Sequence, residues 1–400
     1  MINPFYMTII SFITVVLIFS LGWSGNYQDL SLNLILFCLI NIFLSALIGF
    51  SLRKKFKFEI PLMKDDNIHK IIILIYIGYI INFLYAKELP LINVILGTGS
   101  YYKNIAMIPT IYPILTSINV FYIVYSYYHF LSFKDKKNLF YSIILFFPII
   151  INMGRGILIM TLISCALQYY SHKKIIITKK NIIKATFVLI IILYVFGYIG
   201  NIRAQPKNMA NIKSSERILI LGNATEKFRD SIIPNEFFWT YIYIASPIAN
   251  LNNLIKYQQG DNGSLFEFIA YNFFPQSLQE NTVDVDQIDK KKYLVDDTFN
   301  VSTSYMIPYY QFGWMGIILY EIIFYVLFFL SFILLRKSAY KSIFLSLISA
   351  VSLLALFDNV FVLDVVAIPI FLCFIFTFLN KITKKRDISD EVDIKGNMTK

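Results

Sequence analysis

The sequence is poor in the residues that build disulfide frameworks, metal sites and histidine chemistry. Of its 400 residues, three are cysteine and three are histidine. Each cysteine lies within an apolar run, and no spacing typical of metal ligands occurs in the chain. We therefore expect no bound metal, no cofactor, and no disulfide that staples a loop.

Alanine is also scarce, and isoleucine, leucine, phenylalanine and tyrosine dominate instead. The chain is 57% apolar and 17% aromatic, with a mean hydropathy of +0.62. Apolar runs of about 20 residues recur, and each is long enough to cross a hydrocarbon core roughly 30 Å thick. In lipid such β-prone runs form helices, because an open sheet would leave backbone groups unpaired. The sequence therefore predicts an all-α polytopic membrane protein.

Ten membrane-spanning helices are predicted. The first apolar run has no basic segment before it and no small-residue cleavage site after it, so we interpret it as a span and not as a signal peptide. The predicted spans are 4–23, 30–51, 70–86, 108–131, 138–153, 155–171, 184–202, 311–335, 341–357 and 364–380.

The distribution of basic residues predicts the orientation of these spans. With the N-terminus inside, 23 of the 36 basic residues fall on the inner side, including every compact cluster that flanks a span. Both termini are then inside. The net charge of +11 follows from this topology, so we expect contacts with anionic membrane lipids and no nucleic-acid partner.

This orientation divides the chain into four regions. The large outer loop, residues 203–310, is the second of them, and a loop of this length is typically functional when it interrupts a compact membrane protein. The regions are spans one to seven (1–202), a large outer loop (203–310), spans eight to ten (311–380) and an inner tail (381–400).

One part of the outer loop, 237–254, is apolar enough to be considered a further span. If it crossed the membrane, the basic tail would face outward, against the charge rule. Pro247 and the asparagines at 250, 252 and 253 also disfavour a lipid-facing helix. We expect an interfacial or re-entrant element here, and a partly helical loop overall.

Arg155 occupies an unusual place for a cation. It lies between Gly154 and Gly156 at the outer start of span six. A helix N-terminus is already positive, so an arginine there is favourable when an anion binds between its guanidinium and the free N–H groups. The alternative is an arginine that extends to the lipid phosphates.

Three more outer arginines are candidates for the same anion. Arg203 follows span seven, and Arg217 and Arg229 lie within the loop. Four of the 13 outer basic residues are arginine, against three of 23 inside, and arginine is suited to bidentate phosphate contacts. For Arg217 and Arg229 a solvated surface position is the simpler interpretation.

Two other outer segments have the composition of ligand sites but simpler interpretations. Gly97 to Lys103 is a glycine-rich turn with two tyrosines, which suits a sugar face and equally an ordinary turn in an aromatic belt. Asp284-Val285-Asp286 has the D-x-D pattern of nucleotide-sugar sites. Nucleotide-sugars are not expected outside the cell membrane, so we interpret this motif as solvated loop.

The loop returns to the membrane through 298–316, a dense run of hydroxyls, amides and aromatic rings that we call the return segment. Such groups suit carbohydrate. Asn300, Thr303 and Tyr309 are therefore our candidates for contacts with sugars.

Three acidic residues near the outer boundary are candidate general bases. Glu321 lies about two turns into span eight, at a depth where an ionisable group is a functional candidate. Asp358 and Asp364 flank the last outer turn. For each carboxylate, a helix contact or a helix cap is the alternative role.

These features together resemble the Wzy-type polymerases, which assemble bacterial O-antigen or capsular polysaccharide. The resemblance rests on the many-span topology, the Gly-Arg-Gly at 154–156, an arginine after span seven, the large outer loop, the Asn-x-Ser-Thr at 300–303 and the Gly-x-x-Gly at 313–316. It covers the architecture of most of the chain. Many relatives carry an acidic residue before the Gly-x-x-Gly, where this chain has Gln311.

The resemblance implies a glycosyltransferase of the bacterial cytoplasmic membrane, with a GT-C-like helix arrangement and its large loop on the outer face. The implied donor and acceptor are oligosaccharides linked to undecaprenyl diphosphate, and the implied partners are a flippase and a chain-length regulator. Outer arginines of the family are thought to hold the diphosphate. The matching positions are Arg155 and Arg203, with Arg217 and Arg229 matched less securely.

Three other functions share part of this pattern. An O-antigen ligase uses the same donor but often relies on an outer histidine, and His69, His129 and His172 are all predicted on the inner side. A lipid-linked oligosaccharide flippase is expected to have about twelve or more spans in two similar halves, a repeat that the sequence lacks. A non-catalytic membrane partner is the third alternative.

Overall fold

The fold is that of a helical protein, seen in a computed structural model. The structure describes residues 2–58, 67–96, 107–173, 178–203, 212–257, 263–284, 290–296 and 299–397. Within these ranges the only β-structure is an isolated bridge between Ser24 and Ala224. The turn at Gly97–Lys103 and the last two residues of the D-x-D motif lie outside the described residues.

Sixteen α-helices occur in the described ranges, and all ten predicted spans fall on helices. Before the long loop they are α1 (Pro4–Phe19), α2 (Leu32–Leu52), α3 (Ile68–Ala86), α4 (Pro90–Leu96), α5 (Ile111–Phe133), α6 (Lys136–Ile151), α7 (Arg155–Lys173) and α8 (Lys179–Arg203). The loop forms α9 (Ser214–Leu221), α10 (Glu226–Arg229), α11 (Glu236–Tyr257), α12 (Leu265–Phe273), α13 (Gln276–Thr282) and a 3₁₀ helix (Lys290–Tyr293). After it come α14 (Met306–Leu335), α15 (Lys341–Leu354), a 3₁₀ helix (Val360–Val362) and α16 (Asp364–Asn397).

Among the residues that could be searched, four helices are long and apolar enough to cross a membrane. They are α2, α3, α14 and the Asp364–Ile382 part of α16. Pro4–Phe19, Leu189–Asn201 and Lys341–Leu354 are shorter apolar helices. The protein therefore has transmembrane-helix character, while the count of ten spans and their orientation stay predictions.

Local signals in the sequence explain where some of these helices begin. Asn3 precedes Pro4, and its side-chain oxygen accepts a hydrogen bond from the Phe5 N–H at 3.1 Å. Proline suits the first position because no partner exists there for an N–H group. The Asn3 amide also donates to the Gly49 carbonyl at 3.0 Å, so this cap joins the start of α1 to the end of α2.

Helix α15 lies at the centre of the bundle, and every residue from Lys341 to Ser352 is buried. It packs against α1, α5, α7 and α16. Its small hydroxyl residues permit close approach between helices. The Gln168 side-chain amide of α7 donates to the Ser346 hydroxyl at 3.3 Å, which joins the buried faces of the two helices.

Helix α14 differs from the predicted eighth span. It begins at Met306, five residues before the predicted boundary, and is broken at Phe312 and Gly313, where the backbone leaves helical geometry. Gly313 has φ of 57°, a conformation that favours glycine. A Cβ on Gly316 would lie 2.0 Å from the Pro308 carbonyl oxygen. The two glycines of the Gly-x-x-Gly pattern therefore permit a tight break near the N-terminal end of the helix.

The apolar stretch 237–254 forms most of α11, which packs against α8, α1, α14 and α9. Its asparagines bind other segments. The Asn250 amide donates to the carbonyls of Phe299 and Val301 at 2.9 and 2.8 Å, and its oxygen accepts from the Val295 N–H at 2.8 Å. These polar residues therefore hold the return segment in place.

Candidate functional site

Arg155 and the return segment lie at the same end of the helix bundle. The last turn of α7 carries His172, whose ring lies 4.9 Å from that of Phe58. Nearby, Phe56 packs against Phe332, close to the end of α14, with centroids 5.2 Å apart. His172 therefore marks the end of the bundle opposite the return segment. Arg155, at the other end of α7, falls on the same side as the return segment.

The end of α8 belongs to this same side. Asn201 accepts a hydrogen bond from the Trp239 indole N–H of α11 at 2.6 Å. Two residues further on in α11, the Tyr241 hydroxyl accepts from the Trp23 N–H, after the end of α1. Tyr305 of the return segment in turn packs against Phe12 of α1. The predicted outer ends of α1, α7, α8 and α14 are thus gathered at one end.

The helices that carry the two main arginines have no major packing partner in common. Arg155 begins α7, which packs against α15, α5 and α6, whereas α8, which ends at Arg203, packs against α11 and α9. The Arg203 side chain lies outside the described residues. Joint binding of one diphosphate by both arginines stays a prediction.

Arg155 is half-buried, and its guanidinium forms no hydrogen bond or ion pair with any residue that the structure describes. The turn before it is fixed by backbone bonds, including that from the Gly154 N–H to the Ile149 carbonyl at 3.1 Å. A Cβ added at Gly156 would meet nothing within 4 Å. The first turn of α7 therefore combines an unpaired cation, a helix N-terminus and open space.

Arg217 and Arg229 bind backbone carbonyls of the loop. The Arg217 Nε donates to Ile212 at 3.0 Å, and the Arg229 Nε donates to Ala224 at 2.9 Å. The Arg229 guanidinium also donates to the Leu219 carbonyl at 3.4 Å. These bonds give both arginines a role in holding α9 and α10, and substrate contact by their remaining N–H groups stays a prediction.

A buried chain of amides surrounds the broken start of α14. The Asn272 amide of α12 donates to the Gln311 side-chain oxygen at 3.1 Å. The Asn359 amide donates to the Asn272 backbone carbonyl at 3.1 Å, and the Tyr320 hydroxyl donates to the Asn359 side-chain oxygen at 3.4 Å. These hydrogen bonds join three separate segments near the N-terminal end of α14.

Helix α12 carries Asn272 and begins with a capping box. The Ser264 N–H donates to the Glu267 carboxylate at 2.7 Å, and the Glu267 N–H donates to the Ser264 hydroxyl at 3.2 Å. The Ser264 N–H holds the pKa of the exposed Glu267 carboxyl below its ordinary value. The cap fixes the start of α12 and so the position of Asn272 two turns later.

The two aspartates near the last outer turn have local partners. Asp364, buried at the start of α16, accepts hydrogen bonds from the Ser277 hydroxyl at 2.9 Å and from its N–H at 3.3 Å. Asp358 is exposed, and one of its carboxylate oxygens accepts from the Asn359 N–H at 2.8 Å. These contacts fit helix capping and turn formation. They leave Asp358 as the carboxylate of this pair that is open to solvent.

Glu321 has a different environment, inside the apolar part of α14. One of its carboxylate oxygens is buried without a hydrogen-bond partner. The Asn41 amide of α2 and the Tyr305 hydroxyl lie close enough to interact with this carboxyl. A buried carboxyl with an unused acceptor atom is costly. This cost singles Glu321 out among the three candidate bases.

The predicted sugar contacts divide into exposed and buried side chains. Asn300 is exposed. Thr303 is buried, and its hydroxyl accepts from the Tyr305 N–H at 3.2 Å. Tyr309 is also buried, with its ring edge-on to Trp314 at 5.5 Å. Of the three, Asn300 has its side chain free to meet a ligand without rearrangement.

Sequence reasoning did not single out Asn41, Asn272 or Asn359. The available signal was an amide inside or beside an apolar run, which is costly unless the amide is paired. Asn41 interrupts the second apolar run, and Asn272 precedes the Phe273-Phe274-Pro275 patch. Asn41 and Asn272 each donate to the carbonyl four residues earlier, but Gln311 and Asn359, which join Asn272 to other segments, lie 39 and 87 residues away, so that pairing could not be read from the run alone.

No protein-family model, no curated protein and no solved structure matches the chain. Within the described part of the chain, no group of three or more His, Cys, Asp or Glu residues could hold a metal ion. The arrangement at the end of the bundle that holds Arg155 and the return segment is therefore what indicates a function.

Proposed function

We propose that the protein is a glycosyltransferase of the bacterial cytoplasmic membrane. It polymerises undecaprenyl-diphosphate-linked oligosaccharide repeat units into O-antigen or capsular polysaccharide. In this proposal all ten predicted spans cross the membrane, both termini are cytoplasmic, and the outer end of the bundle faces the periplasm or the cell exterior. A flippase supplies the substrate, and a chain-length regulator is the expected further partner.

The observation that carries this proposal is the position of Arg155. An arginine at a helix N-terminus with no partner in the described part of the chain is suited to an anion, and lipid-linked sugar donors present a diphosphate at the membrane surface. A guanidinium binds such oxygens with two parallel hydrogen bonds. Arg155 also lies at the same end of the bundle as the hydroxyl and amide groups of the return segment, which suit the glycan.

The reaction in this proposal is a displacement at the anomeric carbon of the donor glycan. An acceptor hydroxyl forms the new C–O bond, the bond from that carbon to the diphosphate oxygen breaks, and undecaprenyl diphosphate leaves with the bonding electrons. Arg155 stabilises the charge that develops on this leaving group, and Arg203 is assigned the same role. The hydroxyl proton passes to a carboxylate base, for which Glu321 is the leading candidate and Asp358 the alternative.

The test is the glycan of a strain from which this gene is deleted. A polymerase predicts that single repeat units still reach the cell surface while longer polymer is absent. A ligase predicts polymer that stays on its lipid carrier, and a flippase predicts repeat units that remain inside. A normal polymer ladder in the deletion strain would contradict the polymerase, the ligase and the flippase assignments alike.

A further inference from the structure

A polar cavity of about 170 Å³ lies in the outer loop, and Arg155 is not among its lining residues. It is bounded by the α1–α2 connection, by α11, and by the segment after the 3₁₀ helix Lys290–Tyr293. Its lining includes the amides Asn26, Gln28, Asn252 and Asn253. Drug-sized ligands occupy pockets of roughly 300–1,000 Å³, so this volume suits one small polar unit.

The wall of the cavity is held rigid by hydrogen bonds. Asn252 accepts from the Ser31 N–H at 2.8 Å and donates to the Asp29 carbonyl at 3.0 Å. Asn253 donates to the Tyr293 carbonyl at 3.0 Å. Because these bonds fix the lining side chains, little further ordering is needed on binding.

Three polar atoms of the lining have no partner in the described chain: the side-chain oxygens of Asn26 and Asn253, and the Nε2 of Gln28. The Gln28 oxygen accepts from the Lys256 ammonium at 2.8 Å, which leaves the Nε2 as the free end of that amide. A sugar hydroxyl both donates and accepts hydrogen bonds. One free donor and two free acceptors among the lining residues therefore match the hydrogen-bonding needs of a pair of sugar hydroxyls.

The lining residues carry no formal charge among those the structure describes. Phosphate and carboxylate ligands are usually held by arginine or by several N–H donors. Lys256, a cation next to the lining, has its ammonium bonded to the Gln28 oxygen and to the Asp29 carbonyl. We propose that the cavity binds one neutral sugar residue of the glycan, a subsite that rests on the proposed function. The subsite would hold the oligosaccharide while its diphosphate end lies near Arg155.

The experiment uses the full chain, purified in detergent, with a panel of free neutral hexoses and N-acetylhexosamines. Saturation-transfer difference NMR reports which sugars bind. Gln28→Leu removes the free donor on an exposed side chain, and Ala249→Leu fills the cavity from α11. Gln276→Leu, an exposed glutamine on α13, is the matched control.

We expect transfer to at least one sugar of the panel with the natural protein and with the Gln276→Leu control. Binding should weaken by roughly tenfold in Gln28→Leu, as the loss of one well-placed hydrogen bond predicts, and should vanish in Ala249→Leu. Absence of transfer to every sugar, or equal transfer with Gln28→Leu and the control, would overturn the subsite. The proposed function fails separately, if polymer persists in the deletion strain.

Discussion

The Asn272 amide donates to the Gln311 side-chain oxygen across 3.1 Å, and both side chains are buried. Gln311 is the residue immediately before the break in α14. This position therefore joins α12 to α14. The bond therefore gives Gln311 a structural role at the broken start of α14.

Replacing Gln311 by leucine should lower the unfolding temperature of the protein. The substitution removes one of the two acceptors of the buried Asn272 amide, which also donates to the Phe268 carbonyl, at a cost of about 1–3 kcal/mol. Thermal unfolding of the purified protein in detergent measures the effect. Gln276→Leu, on the exposed surface, should leave the unfolding temperature unchanged. Equal unfolding temperatures for both variants would show that the Asn272 bond contributes nothing.

Asn250→Ala should loosen the return segment. The change removes three side-chain hydrogen bonds, to Phe299, Val301 and Val295. At about 1 kcal/mol for each bond, the folded state should lose roughly 3 kcal/mol. Limited proteolysis should then cleave near Val295 at lower protease concentration. The control is Asn300→Ala, which changes an exposed asparagine close by. Identical cleavage of the two variants would contradict the role of Asn250 in holding the return segment.

The glycines at 316 and 156 should respond oppositely to alanine. At Gly316 the new Cβ would lie 2.0 Å from a backbone oxygen, which cannot move without shifting the broken helix. At Gly156 it would meet open space, and alanine raises helix stability by up to about 1 kcal/mol. Fluorescence-detected size exclusion should show loss of folded protein for Gly316→Ala only. Normal yield of Gly316→Ala would contradict the close approach to Pro308.

Glu321→Gln should abolish polymer while leaving protein abundance unchanged. The amide keeps the shape of the carboxyl but cannot accept the acceptor's proton, and loss of general-base catalysis costs typically 10²–10⁴-fold in rate. Polymer length and protein abundance are compared in the deletion strain that carries each variant. Glu216→Gln, exposed on α9, should restore normal polymer. If Glu321→Gln does so as well, Asp358 becomes the candidate base.

The positions of the apolar helices could be predicted from the sequence, because length and hydropathy are local properties. All ten predicted runs coincide with helices, although α1 ends at Phe19 and α16 continues to Asn397. The Gly-x-x-Gly pattern marked the outer end of α14, but the break itself depends on the contact between Gly316 and the Pro308 carbonyl. Such a contact depends on the path of the backbone, and no periodic pattern in the sequence indicates it.

The roles of the loop amides could not be predicted for a related reason. Asn250, Asn252 and Asn253 were evidence only against a lipid-facing helix, while their partners lie between 40 and 223 residues away in the sequence. The same holds for Asn272 and Gln311, which are 39 residues apart. Such pairs become visible only once the fold brings the segments together.

The most direct measurement is the polymer profile of the deletion strain complemented with Arg155→Lys. Lysine keeps the charge but loses the bidentate geometry that an arginine offers to a diphosphate. The account predicts absent or strongly shortened polymer at normal protein abundance, with a normal profile for Arg336→Lys at the opposite end of the bundle. A normal polymer ladder from Arg155→Lys at normal abundance would contradict the central claim that Arg155 holds the donor diphosphate.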